Sequence, residues 1–82
     1  MYYIFSFRSR SQSISFFDKI TKKGYNVKLI NTPRVVSVGC GLSVKINANC
    51  IDEIILLFDK DSFDTFLGLF YFNGSEISRI TV

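Results

Sequence analysis

The chain has 82 residues, of which 48% are hydrophobic and 21% charged, with a net charge of +3 and no histidine. That length gives a single domain, 1–82, with a thin core, and the composition excludes a disordered chain. Without histidine there is no Cys–His or Ser–His dyad, and two cysteines are too few for a zinc site, so neither a metal nor a cofactor is expected.

The longest apolar runs, such as Ile54–Phe58, are too short to span a bilayer. No basic segment followed by an apolar one opens the chain, so no signal peptide is expected. Two cysteines without an export signal point to a reducing cytoplasm and free thiols. The charge is unevenly placed. Residues 1–45 carry eight basic side chains against Asp18 alone, a balance of +7, whereas residues 46–82 carry Lys60 and Arg79 against six acids, a balance of −4. Such a field can orient a partner or an anion, or it can be a solvated surface that happens to segregate.

In chain order, Tyr2 to Phe7 is aromatic and apolar and reads as a buried strand. Ser9 stands three residues before Gln12, the capping-box spacing that opens a helix. Ile14, Phe17 and Ile20, with Phe16 beside them, form its apolar stripe. Lys22 and Lys23 suit its last turn and Gly24 its stop. Asn26 to Ile30 and Leu42 to Ile46 read as the second and third strands. In the latter, Leu42, Val44 and Ile46 point one way and Ser43 and Lys45 the other. Asn49 with Asp52 resembles a second cap, followed by Ile51, Ile54, Ile55 and Phe58 at helical spacing. Phe66 to Phe72 is a fourth strand. Asn73-Gly74 is a hairpin signal that returns Ile77 to Val82 as a short edge strand. The order predicts an α+β fold of the ferredoxin-like βαββαβ type, an antiparallel sheet in the order 4-1-3-2 with both helices on one face, plus a short C-terminal β-hairpin strand.

The connection from about Asn31 to Gly41 exceeds the two to five residues of an ordinary hairpin. Long loops in small domains carry function more often than not, although a local cap over the core is an alternative. Pro33 stiffens its start and holds Thr32 out of helix. Gly39 and Gly41 remove side chains on both sides of Cys40, which permits unusual backbone angles and close approach by another molecule. Arg34 could supply the positive charge that favours a thiolate. Two readings of Cys40 stand on these residues: a thiol meant to be reached, or a small apolar filler at a tight turn. Cys50 falls at the start of the second helix, where the dipole lowers a thiol pKa, yet packing there is the simpler role. A strand of about five residues, ~17 Å, separates the two cysteines, while disulfide Cα atoms lie within about 7 Å, so no internal disulfide is expected.

At these residues the chain resembles the putative selenium/sulfur carrier protein-like family, a set of small bacterial domains. The resemblance begins at Phe7-Arg8-Ser9 and runs through the Lys23-Gly24 helix end and the stretch KLINTPRVVSVGCGLSVKI, Lys28 to Ile46. Its most specific part is Pro33-Arg34, Ser37 and Cys40-Gly41-Leu42-Ser43. It implies that Cys40 is the carrier thiol, accepting a persulfide or selenium from a cysteine desulfurase or other donor protein and passing it to an acceptor protein. It also implies a carrier and not an enzyme, since the chemistry occurs in the partner's site. Other small persulfide carriers have a Cys-Pro motif, whereas Cys40 is followed by glycine. In such a role Arg8, Arg10 and Arg34 could dock on an acidic rim, and Arg34 could stabilise the persulfide anion.

Two other classes remain open. In the first strand Tyr3, Phe5 and Phe7 oppose Tyr2 and Ile4, and in the fourth Leu67, Leu69 and Tyr71 oppose Phe70 and Phe72, so both sheet faces are apolar while helices can cover only one. The uncovered face suggests a non-catalytic protein-interaction or oligomerisation module, a homodimer packed through it, or the C-terminal segment folded over it. A small-ligand sensor using the Pro33–Gly41 loop also suits a fold that hosts many functions. Nucleic acid is disfavoured, because the third strand, Leu42 to Ile46, lacks the aromatic residues of an RNA-recognition sheet.

Overall fold

A computed structural model of the chain describes residues 1–36 and 41–81. The elements are β1 (Tyr2–Phe7), α1 (Arg10–Lys22), β2 (Lys28–Asn31), β3 (Leu42–Asn47), a 3-10 turn (Ala48–Cys50), α2 (Ile51–Leu57), β4 (Phe66–Asn73) and β5 (Glu76–Ile80). The strands form one antiparallel sheet in the order β2-β3-β1-β4-β5. Its centre is β1, where four successive residues, Ile4, Phe5, Ser6 and Phe7, are all fully buried. No helix among the described residues is long and apolar enough to cross a membrane.

One face of the sheet carries the core. Phe5 lies opposite Val44 on β3 and Leu69 on β4. These residues pack with Phe16 and Ile20 of α1 and with Ile51 and Ile54 of α2. The centre of the cluster is aromatic: the Phe16 ring sits 4.7 Å from Phe5, and 5.4 Å from both Phe58 and Phe63, in tilted or edge-on contacts. Such geometry adds to the ~1.5–3 kcal/mol that burying each large apolar side chain contributes.

The ends of α1 follow the chain's local signals with one change. Ser9 caps the helix, its hydroxyl accepting from the Gln12 N–H at 3.4 Å. The reciprocal half of the capping box is rerouted. Instead of reaching back to Ser9, Gln12 accepts from the Thr65 N–H at 3.1 Å and the Thr65 hydroxyl at 2.6 Å, and donates to Asp64 at 2.7 Å. Ser9 N–H donates to the Thr65 hydroxyl instead. At the far end, Gly24 N–H donates to Thr21 and Tyr25 N–H to Ile20, with Gly24 at φ +96°, the paired bonds of a Schellman stop.

Two local expectations are corrected. Asn49 does not cap the second helix: Asn47 precedes a 3-10 turn, and Cys50 stands at the cap position of α2 without a side-chain cap bond. The hairpin turn is shifted by one residue. Asn73 pairs with Glu76, so Gly74 and Ser75 form the turn, with Gly74 at φ +68°. Of the predicted Ile77–Val82 strand, Val82 lies outside the described residues.

The second face of the sheet is dressed by its own cations. By register it carries Tyr2, Ile4 and Ser6, flanked by Ser43 and Lys45 on β3 and by Gly68, Phe70 and Phe72 on β4, with Ile77 and Arg79 beyond on β5. Tyr2 stacks on Phe72 at 5.0 Å, and Lys45 Nζ lies 4.4 Å from the Tyr2 ring centre. Arg79 lies 5.7 Å from the Phe70 ring centre. The flexible stems and charged heads of these two residues cover aromatic surface while staying wet.

Candidate functional site

The long loop leaves β2 and returns to β3 through a closed base. Thr32 N–H donates to the Gly41 carbonyl at 2.8 Å. The Thr32 and Ser43 hydroxyls are hydrogen-bonded at 2.6 Å, and Ser43 is fully buried. The buried Ser13 hydroxyl of α1 donates to the Leu42 carbonyl at 2.9 Å, fixing the loop's return against the first turns of that helix. These residues are hydroxylated because each must satisfy a polar group away from water with little volume.

Pro33 opens a turn closed by Val36 N–H donating to its carbonyl at 3.0 Å. Arg34 and Val35 are exposed, but Val36 is only 6% exposed, so this half of the loop packs onto the body of the protein. Val36 and Ile4 are buried hydrophobics that stand apart from the core cluster. Gly41 adopts φ +92°, a conformation that side-chain-bearing residues rarely take. Ser37, Gly39 and Cys40 of the predicted site lie outside the described residues.

Ser6 pairs with Ser43, so the C-terminal end of β1 lies beside the start of β3. Arg8 and Arg10 follow β1 directly and are both exposed. They therefore share the end of the sheet at which β2 ends and β3 begins. Thr32, Ser43 and Ser13 were not among the sequence candidates. The signal for Ser43 was present, as a polar residue facing away from the apolar side of its strand; nothing in the sequence linked Ser13 to the loop.

Cys50 is a free thiol at the opposite end of β3. It packs against the core, with Sγ 3.5 Å from the Asn47 carbonyl. Burial, and then the nearby Glu53 carboxylate, push this thiol above the ordinary cysteine range; backbone hydrogen bonds only partly oppose them. The expected lowering by a helix dipole is thus overruled, since desolvation and a neighbouring negative charge both disfavour thiolate. The Glu53 side chain, and then burial, also raise the Tyr25 phenol above its ordinary range.

The family model described as putative Se/S carrier protein-like matches residues 2–65. The match takes in β1, α1, the whole β2–β3 loop and α2, and the chain belongs to that family. No curated protein and no solved structure matches the chain.

Proposed function

We propose that the protein is a sulfur or selenium carrier of the cytoplasm, with the Cys40 thiol as the point of loading. The observation that carries this reading is the family match across residues 2–65, which spans the complete Pro33–Gly41 loop. The fastened loop base supports it: Thr32, Ser43, Ser13 and Leu42 tie the loop's ends to the sheet and to α1. The order β2-β3-β1-β4-β5, with residues of both helices in one core, supports reading the scaffold as a ferredoxin-like sandwich extended by β5.

In the transfer step, the Cys40 thiolate attacks the outer sulfur of a donor protein's cysteine persulfide. A new S–S bond forms on Cys40 as the donor's S–S bond breaks, and the donor leaves as a thiolate. No external oxidant is consumed, and the rate depends on thiolate fraction and access. An acceptor thiolate then repeats the exchange. Arg8, Arg10 and Arg34 would draw the loop end onto an acidic rim of the donor. The elevated pKa of Cys50 suits a packing role for that residue, leaving Cys40 as the thiol for exchange.

The test is intact mass after incubating reduced protein with a cysteine desulfurase and cysteine. One added, reductant-labile sulfur is expected in the wild type and in Cys50→Ser, and none in Cys40→Ser. A sulfur retained in Cys40→Ser would overturn the assignment.

A further inference from the structure

Residues 46–82 are acidic overall, and their only two basic side chains are Lys60 and Arg79. The fold brings both to one cavity of about 330 Å³, between the open end of the β4–β5 hairpin and the turn holding Lys60. Phe66, Leu67 and Ile80, all partly buried, supply apolar wall. Among the described residues that line the cavity, none is acidic. Two separate cations gathered from an acidic segment, over an apolar wall, form a surface for a negative group carrying a hydrocarbon body.

We propose that this cavity binds a small organic carboxylate. The guanidinium of Arg79 is held in place before any ligand arrives. One Nη donates to the Leu67 carbonyl, and the group lies over the Phe70 ring. A guanidinium has five N–H donors in a rigid fork, so donors remain after that bond to engage a carboxylate. Gly68 makes this placement possible: a Cβ there would meet the Phe70 ring at 3.1 Å and Arg79 Nε at 3.2 Å. Lys60, exposed and also lining the cavity, adds a point charge on a flexible stem. The volume lies at the small end of ligand pockets, where an apolar wall and a few placed polar groups are the rule. Apart from Lys60, the lining residues lie beyond the family-matched residues 2–65, so the site is separate from the Cys40 reading and does not depend on it.

The experiment is an amide and Arg Nε–H NMR titration of the full chain with hexanoate, with 1-hexanol and inorganic phosphate as separate arms. Saturable hexanoate shifts are expected at Gly68, Arg79, Ile80 and Thr81. Lys60→Gln, an exposed change that leaves the remaining spectrum in place, should weaken binding about tenfold. Arg79→Lys keeps the charge but loses the fork, and should weaken it by at least as much. Any one of four results overturns the proposal: no saturable shift at these residues, equal binding of hexanol, equal binding of phosphate, or unchanged affinity in both variants.

Discussion

The hydroxyls of Thr32 and Ser43 meet at 2.6 Å across the base of the long loop, directly beside the backbone bond from Thr32 N–H to the Gly41 carbonyl. The two contacts act as one clasp, holding the end of β2 to the start of β3 where the loop departs. Removing either hydroxyl leaves the other in a poorly hydrated site. Thr32→Val and Ser43→Ala should each cost about 1–2 kcal/mol. The double variant should cost less than the sum, because both remove the same bond. Urea midpoints of the four proteins provide the measurement; strict additivity would show that the hydroxyls are not coupled.

Gly41 tests the same clasp through the backbone. At φ +92° a side chain is strained, yet a Cβ at this position would meet no atom within 4 Å. Gly41→Ala should therefore destabilise by about 1–2 kcal/mol through backbone conformation alone. Gly41→Asn should cost less, since asparagine tolerates this region better. Equal thermal stability of wild type and Gly41→Ala would contradict the assigned conformation.

Gln12 joins the first turn of α1 to the entry of β4. Gln12→Ala removes bonds to Asp64 and to both the N–H and the hydroxyl of Thr65. A loss of about 2 kcal/mol is expected, with coupling of about 1 kcal/mol to Thr65→Val in a double-mutant cycle. Chemical denaturation measures both; zero coupling would mean that Gln12 acts only as a helix residue.

Cys50 should be a slow thiol. In a Cys40→Ser background, iodoacetamide alkylation should rise with pH along a curve displaced above that of an ordinary cysteine, and Glu53→Gln should bring it down. Because the folded state holds this proton more tightly than the unfolded chain, its contribution to stability is complete below the ordinary thiol range. That contribution is lost as pH rises through the elevated value. A curve at or below the ordinary position would rule out burial and Glu53 as the controlling influences.

The strands and the first helix were legible because their signals are local. Tyr2–Phe7 announces itself by composition, and Ser9 and Gly24 bracket α1 by capping chemistry that works over three or four residues. Alternation along Leu42–Ile46 already separated Ser43 and Lys45 from the core side, and the Cys40 loop stood out by its length, its proline and its glycines. Family membership was legible for the same reason, since the distinguishing residues run consecutively.

Only the tertiary structure decided what those residues meet. Gln12 leaves its capping partner because Thr65, 53 residues away, offers it both an N–H and a hydroxyl, while the Ser9 N–H donates to Thr65 instead. Cys50 loses the expected dipole effect because partial burial, and then the neighbouring Glu53 carboxylate, disfavour its thiolate. The rings of Tyr2 and Phe70 acquire the charged neighbours Lys45 and Arg79 from other strands, which moderates the bare apolar face suggested by the sequence. Short-range propensity is written residue by residue, whereas desolvation, cation–π contact and hydrogen-bond competition depend on which distant segments the register brings together.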